Sequence, residues 1–264
     1  MKEPKLNPRP EIAIPVMALL LASLISVSLV GLRIFWTGHW QNLYLVWNLF
    51  LAWLPLGFSL LVYRAYQNGS RQGWRFFCYA FAWLLFFPNA PYIFTDLIHL
   101  MSHHSGHFWV DLVLILLFAW TGFLLGFLSL YLMQSLVARE LGGAASWLFI
   151  AVVAGLSGCG IYVGRFLRWN SWDVLLNPVG LFRDLAHWAA NPLVHSNASL
   201  FPVLFAVFLF MAYVMLYALT HLRSMASVIT PHPPVEHQSD DHERANSEFP
   251  KWLVSSPVLK TKST

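Results

Sequence analysis

Apolar positions dominate this chain in long, nearly unbroken runs. They cover residues 12–32, 43–63, 74–95, 108–135, 146–166 and 201–221. Each is long enough for an α-helix to cross a hydrocarbon core of about 30 Å. Segments of about ten alternating residues, the sign of a membrane β-barrel, do not stand out. The pattern predicts an all-α, polytopic integral membrane protein of about six transmembrane helices. The first run follows Lys2, Lys5 and Arg9, as a signal peptide would. Its apolar core of about 20 residues and the lack of an obvious Ala-x-Ala site predict an uncleaved first helix.

Composition agrees. Hydrophobic residues make up 58% of the 264 and charged residues 11%, against about 25% in soluble domains. Mean hydropathy is +0.58. The net charge of +4 does not point to nucleic acid, because the basic residues are scattered and no nucleic-acid motif is present. Their distribution reports topology instead. Of the 16 lysines and arginines, all but Arg33, Arg165, Arg168 and Arg183 fall in the N-terminus, the 64–75 loop, at Arg139 or in the tail. The positive-inside bias then places both termini in the cytoplasm of a cell and turns 33–42, 96–107 and 167–200 outward. The expected organisation is a cytoplasmic N-terminus over 1–11, a membrane domain over 12–222 and a disordered cytoplasmic tail over 223–264. The tail is rich in Pro, His, Ser, Asp and Glu without a helical period. Cys78 and Cys159 fall in apolar runs at depths about 15 Å apart, too far for a disulfide.

Two stretches interrupt the apolar pattern. The first is Pro88-Asn-Ala-Pro-Tyr-Ile-Phe-Thr-Asp-Leu-Ile-His-Leu100. From Trp74 to Phe87 a helix reaches only about 21 Å, so the prolines break it inside the membrane. Pro88 and Pro91 lack backbone donors, and Phe87 and Ala90 should be pushed off helical angles. Freed carbonyls in lipid are costly unless protein or a watery cavity covers them. The Asn89 amide suits that task. Thr95 or Asp96 is expected to cap a new helix. Broken helices of this kind line substrate sites in transporters, but a proline kink that merely ends a span also accounts for the pattern.

The second stretch, Gly160-Ile-Tyr-Val-Gly-Arg-Phe-Leu-Arg-Trp-Asn-Ser-Trp-Asp-Val-Leu-Leu-Asn-Pro178, closes the fifth run. Arg165 and Arg168 share a helix face at i, i+3. Asn170, Ser171 and Asp173 add polar groups, and Trp169 and Trp172 suit a lipid–water boundary. Asn177 and Pro178 read as N-cap and first turn of a short amphipathic helix. Its apolar face carries Leu181, Phe182, Leu185 and Trp188, and it is expected to lie on the outer surface. Gly122-x3-Gly126 and Gly160-x3-Gly164 allow the fourth and fifth spans to approach, which would bring Asp111 near Arg165.

Three long motifs, "FPNAPYIFTDLIHL", "FWVDL…FAWTGFLLGF" and "GIYVGRFLRWNSWDVL", resemble the DUF1361 family of bacterial membrane proteins over about 43–221. The resemblance implies a multi-span bacterial membrane protein and brings no activity with it. The positions matching its motifs are Asn89, Pro91, Asp96, His99, Asp111, Arg165, Arg168, Asn170 and Asp173. The histidines at 103, 104 and 107 fall outside them.

Three functional readings compete. In the first, a non-enzymatic binding or transport protein holds an anion or lipid headgroup at the extracytoplasmic face. Its ligand-binding residues are Asn89, Asp96, His99, Asp111, Arg165, Arg168, Asn170 and Asp173, with the arginines on the anion. The partners are then membrane lipids, an anionic lipid or a small molecule, without a cofactor and without nucleic acid. In the second, Asp96, His99 and Asp111 serve a metal-dependent hydrolase, since His99, His103, His107 and Asp111 recur every four residues. No HExxH motif supports it. In the third, Asp–Arg pairs hold helix ends in a scaffold. Oligomeric state is left open.

Overall fold

The computed structural model describes residues 9–40, 42–69, 73–98, 108–190 and 196–229. Its elements are α1 (Arg9–Thr37), α2 (Leu43–Gln67), α3 (Trp74–Phe86), the single turn α4 (Asn89–Tyr92) and a 3-10 turn (Ile93–Leu97). After these come α5 (Phe108–Leu141), α6 (Gly143–Arg165), the single turn α7 (Asp173–Leu176), α8 (Pro178–Ala190) and α9 (Ser196–Ile229). No strand occurs among the described residues. Six segments are long and apolar enough to cross a membrane, and Trp74–Leu97 counts as one of them despite its interruption. The chain is thus an all-α, multi-pass membrane protein.

The chain divides into two compact units, Met1–Leu216 and Tyr217–Thr264. Only residues 217–229 of the second are described, as the end of α9. That helix runs on past the boundary expected at 222, since Met225-Ala-Ser-Val-Ile229 carries no helix breaker. The rest of the expected tail lies outside the described residues. Cys78 and Cys159 are free thiols.

Within the first unit α5 is the central helix, packed against α1, α2, α4, the 3-10 turn and α6. Over half of its apolar window is buried, against 11% for α1 and 17% for the sixth span. Apolar side chains such as Met17, Leu21, Leu24, Val203 and Met211 therefore cover the outside of the bundle, where a bilayer solvates them. Lipid is as apolar as leucine, so association must come from close packing and internal hydrogen bonds. Trp83 shows both: its indole is buried, lies beside Phe87 and Phe149, and donates to Ser129 Oγ at 3.2 Å. Between α5 and α6 a single residue, Gly142, turns the chain at φ +88°, which glycine takes without steric cost.

The interruption after α3 differs in kind from the one expected. Phe87 keeps helical angles (φ −54°, ψ −41°) ahead of Pro88, and Ala90 lies within α4. The chain tightens instead of unwinding: the Ala90 N–H bonds to Phe87 O at 3.1 Å, one residue short of the α-helical partner. Thr95 and Asp96 cap no helix among the described residues, and the chain after Ile98, where the expected helix would run, lies outside them. Thr95 Oγ1 turns back to Tyr92 O at 2.6 Å, and Asp96 lies inside the 3-10 turn.

The glycine pairs also act otherwise than expected. They do not bring α5 and α6 against each other; both face the proline turn. A Cβ on Gly122 would stand 2.7 Å from Ile93 Cδ1 and 2.9 Å from Ala90 O, and one on Gly126 would stand 3.0 Å from Ala90 Cβ. A Cβ on Gly160 would meet Pro88 Cγ at 2.9 Å, and one on Gly164 would meet the Tyr92 ring at 3.5 Å. The Pro88–Ile93 turn is a wedge seated between two glycine notches.

This packing predicts opposite outcomes for two glycines. Gly122→Ala should lower stability by about 1–3 kcal/mol through overpacking. Gly57→Ala, whose Cβ would meet nothing within 4 Å, should stay within about 0.5 kcal/mol of the parent. Unfolding in mixed micelles measures both, and equal losses would refute the notch.

Candidate functional site

The proline turn sets the site through its backbone groups. Pro88 and Pro91 supply no N–H, and the Ala90 N–H is spent on Phe87 O. Phe86 O then lacks its helical donor, and Asn89 Nδ2 provides one at 3.0 Å. The same amide donates to Ser171 Oγ at 3.0 Å, which ties the turn to the segment after α6. Downstream, the guanidinium of Arg165 donates to Thr95 O through Nη2. Its Nη1 donates to Asp96 Oδ1 at 3.2 Å and to Tyr92 Oη at 3.3 Å, and its Cζ lies 5.5 Å from the Tyr92 ring centre. Asp96 is 1% exposed, and its other oxygen accepts from Asn48 Nδ2 at 2.8 Å. A carboxylate so deeply buried is tolerated because it has a cation and a further donor.

Asp111 does not pair with Arg165. It sits in the first turn of α5 and takes a two-pronged contact from Arg33 of α1, Nε to Oδ1 at 3.0 Å and Nη2 to Oδ2 at 3.2 Å. Asn42 Nδ2 adds a third donor at 3.2 Å. Arg33 Nη1 is buried without a partner among the described residues. Tyr44 lies within electrostatic reach of Asp96, Arg165 and Asp111, so the two pairs are neighbours. The expected single cluster is therefore two ion pairs with separate arginines.

The remaining candidates divide. Arg168 is exposed and takes φ +58°, a left-handed angle that favours glycine, where the chain leaves α6. The next N–H, of Trp169, reaches back to Val163 O at 3.3 Å. Asp173 serves its own turn: Oδ2 accepts from the Asn170 backbone at 2.6 Å and from Asn170 Nδ2 at 3.3 Å. The expected cap of α8 is present, with Asn177 Oδ1 accepting from Gly180 N at 3.1 Å. Trp169 Nε1 joins the segment to α8 through Asp184 at 3.1 Å, and Trp188 lies 4.9 Å from the Tyr162 ring. Phe182 is 73% exposed, while Leu181 and Trp188 are half-buried. His99 lies outside the described residues, as do His103, His104 and His107. Among the described residues no three of His, Cys, Asp and Glu converge.

Between the proline turn and the 160–181 segment lies a cavity of about 220 Å³. Pro88, Asn89 and Tyr92 form one wall, and Gly160, Gly164 and Trp169–Trp172 form another. Trp47, Asn48 and Leu51 of α2 close it. No charged side chain lines it. The Arg165–Asp96 pair stands behind this wall, held to it through Tyr92 and Asn48.

Sequence reasoning missed Arg33, which it placed in a loop, and passed over Asn42, Tyr44 and Asn48. A signal existed for Arg33: a lone arginine amid Leu-Val-Gly-Leu-Arg-Ile-Phe-Trp needs a partner inside the membrane. Asn48 stands out likewise in an apolar run.

A family model described as a protein of unknown function, DUF1361, matches residues 47–229. That span holds every residue lining the cavity and the Arg165–Asp96 pair, while Arg33 and Asn42 precede it. No curated protein and no solved structure matches the chain.

The pairing predicts a definite coupling pattern. Arg165→Ala should destabilise by about 3–5 kcal/mol, because it strands the buried Asp96. Double-mutant cycles should show strong coupling for Arg165 with Asp96 and for Arg33 with Asp111. The Arg165–Asp111 cycle should be additive within about 0.5 kcal/mol. The reverse order would mean that the arginines have exchanged partners.

Proposed function

Since the chain belongs to the DUF1361 family, whose function is unknown, we propose its role from the cavity: it binds the headgroup of a membrane lipid without acting as an enzyme. In this reading it is a multi-pass protein of a bacterial cell membrane, with both termini cytoplasmic and the cavity at the extracytoplasmic face. The observation that carries the proposal is the cavity itself. It is mainly apolar with a few polar groups, it lies at the interrupted end of a span, and neutral amides, a serine, a tyrosine and indoles stand among its aliphatic lining residues. Pockets of this make-up orient a ligand with a few placed polar groups. The sidedness rests on the distribution of basic residues.

The arginines share the work unequally. Arg165 is committed to Asp96, Thr95 O and Tyr92, so it supports the wall. Arg168 is exposed beside Trp169 and is the cation available to a charged part of a headgroup outside the cavity. The hydrolase reading is less well supported, because Asp96 and Asp111 are each engaged by a different arginine. The scaffold reading accounts for the ion pairs but not for the space beside them.

Two outcomes are expected. Protein purified in mild detergent should retain stoichiometric lipid, and Val174→Trp, at a cavity-lining position, should lose it with thermal stability unchanged. Equal lipid in both would refute a headgroup site here. Independently, reporter fusions after residues 70, 140 and 230 should read as cytoplasmic and those near 104 and 190 as external. An external signal at 230 would overturn the sidedness.

A further inference from the structure

We infer that the group entering the cavity is an uncharged glycosyl ring; this rests on the headgroup-site reading above and names its ligand. The argument begins with charge. No acid or base lines the cavity, and Arg165, behind its wall, is neutralised by Asp96 at 3.2 Å. Moving a phosphate into such a space would strip its hydration without supplying a cation, which is costly. A neutral group pays no such penalty.

Hydrogen-bonding capacity narrows the choice. Asn89 spends its amide nitrogen on Phe86 O and Ser171 Oγ, which leaves its carbonyl oxygen as an acceptor. Asn48 spends Nδ2 on Asp96 Oδ2, and its carbonyl oxygen has no donor among the described residues. Tyr92 Oη accepts from Arg165, so its own hydrogen is left to donate. Ser171 Oγ accepts from Asn89 and likewise keeps its hydrogen. The wall thus offers acceptors and donors side by side. A phosphate only accepts and would set its oxygens against the two amide carbonyls. An ammonium only donates and would face the two hydroxyl hydrogens. A hydroxyl does both, and a sugar presents several on a rigid ring.

Shape agrees. Trp47 and Trp172 also line the cavity. The negative face of an indole attracts the polarised C–H groups on the apolar side of a pyranose. The volume of about 220 Å³ equals about seven waters in the liquid, room for one such ring and its hydroxyls. The same ring could arrive on a lipid or as a free sugar.

The test uses the full chain in phosphatidylcholine nanodiscs containing either glucosyl diacylglycerol or phosphatidylglycerol. Native mass spectrometry and tryptophan fluorescence report binding. Glucosyl diacylglycerol should bind in preference to phosphatidylglycerol. Trp172→Ala should weaken it about tenfold, the loss of one stacking contact, and Trp172→Phe should recover part of that. Arg183→Ala, exposed on α8 and away from the cavity lining, should leave it unchanged. Methyl glucoside should compete on the parent protein, a measurement that stands even if a tryptophan variant fails to fold. Competition with the affinity of the lipid itself would make free sugar the source; weaker competition would make it the lipid. Retention of phosphatidylglycerol with no glucosyl binding would overturn the glycosyl assignment and leave the headgroup site standing. Binding of neither would remove both.

Discussion

Backbone carbonyls stripped of their donors inside a membrane are the constraint on which the rest of this structure depends. Pro88 and Pro91 withhold two N–H groups from a helix that has no water to replace them. Tightening resolves part of the deficit, because Ala90 bonds one residue short. A side chain resolves more of it: Asn89 reaches Phe86 O. Further along, Arg165 adds a second donor to Thr95 O, which already accepts from the Ile98 N–H. Each of these donors also binds something distant. Asn89 holds Ser171 and Arg165 holds Asp96, so the repair of one turn joins α3, α6 and the segment beyond it.

The glycines follow from the same turn. A chain segment without regular side-chain spacing packs poorly between two helices unless their backbones can come close. Gly122 and Gly126 open α5, and Gly160 and Gly164 open α6, each toward the residues between Phe87 and Ile93. Dispersion contacts must then supply the association energy, since burial from lipid supplies little. The second ion pair has a different task. Helix α1 is mostly lipid-facing, and Arg33 pins it to the start of α5 through Asp111. Even a partly buried pair such as this repays its desolvation poorly, so Arg33–Asp111 is better understood as fixing position than as adding stability.

Much of this was legible in the residues, and the part that was not has a physical cause. Six spans follow from run length alone, because the bilayer sets one length for all of them. The Asn177 cap and the use of Asn89 follow from local donor counting, which is a short-range problem. Partner choice is a long-range one. Arg165 to Asp96 and Arg33 to Asp111 are separated by 69 and 78 positions, and no local pattern tells which acid meets which arginine. The glycine patterns failed similarly: small-x3-small says that something approaches closely but not what. The tightening at Phe87 was misjudged because preference statistics for a residue before proline give way where neighbours fix the backbone on every side.

The cavity gains a property from the charges it does not contain. Arg165 donates to Tyr92 Oη, which polarises the phenol and makes its remaining hydrogen a stronger donor. Asp96 accepts from Asn48 Nδ2, which pushes electron density toward the Asn48 carbonyl and makes it a stronger acceptor. A neutral wall backed by a closed ion pair can thus bind uncharged hydroxyls more tightly than its amides and phenol would alone. It still offers no net charge to an ion. Low dielectric strengthens both effects, and α2, α3 and α6, which surround the cavity, are built mainly from apolar side chains. The buried pair therefore serves stability and recognition through the same hydrogen bonds. Its loss would unmake the site even though neither charge faces the ligand.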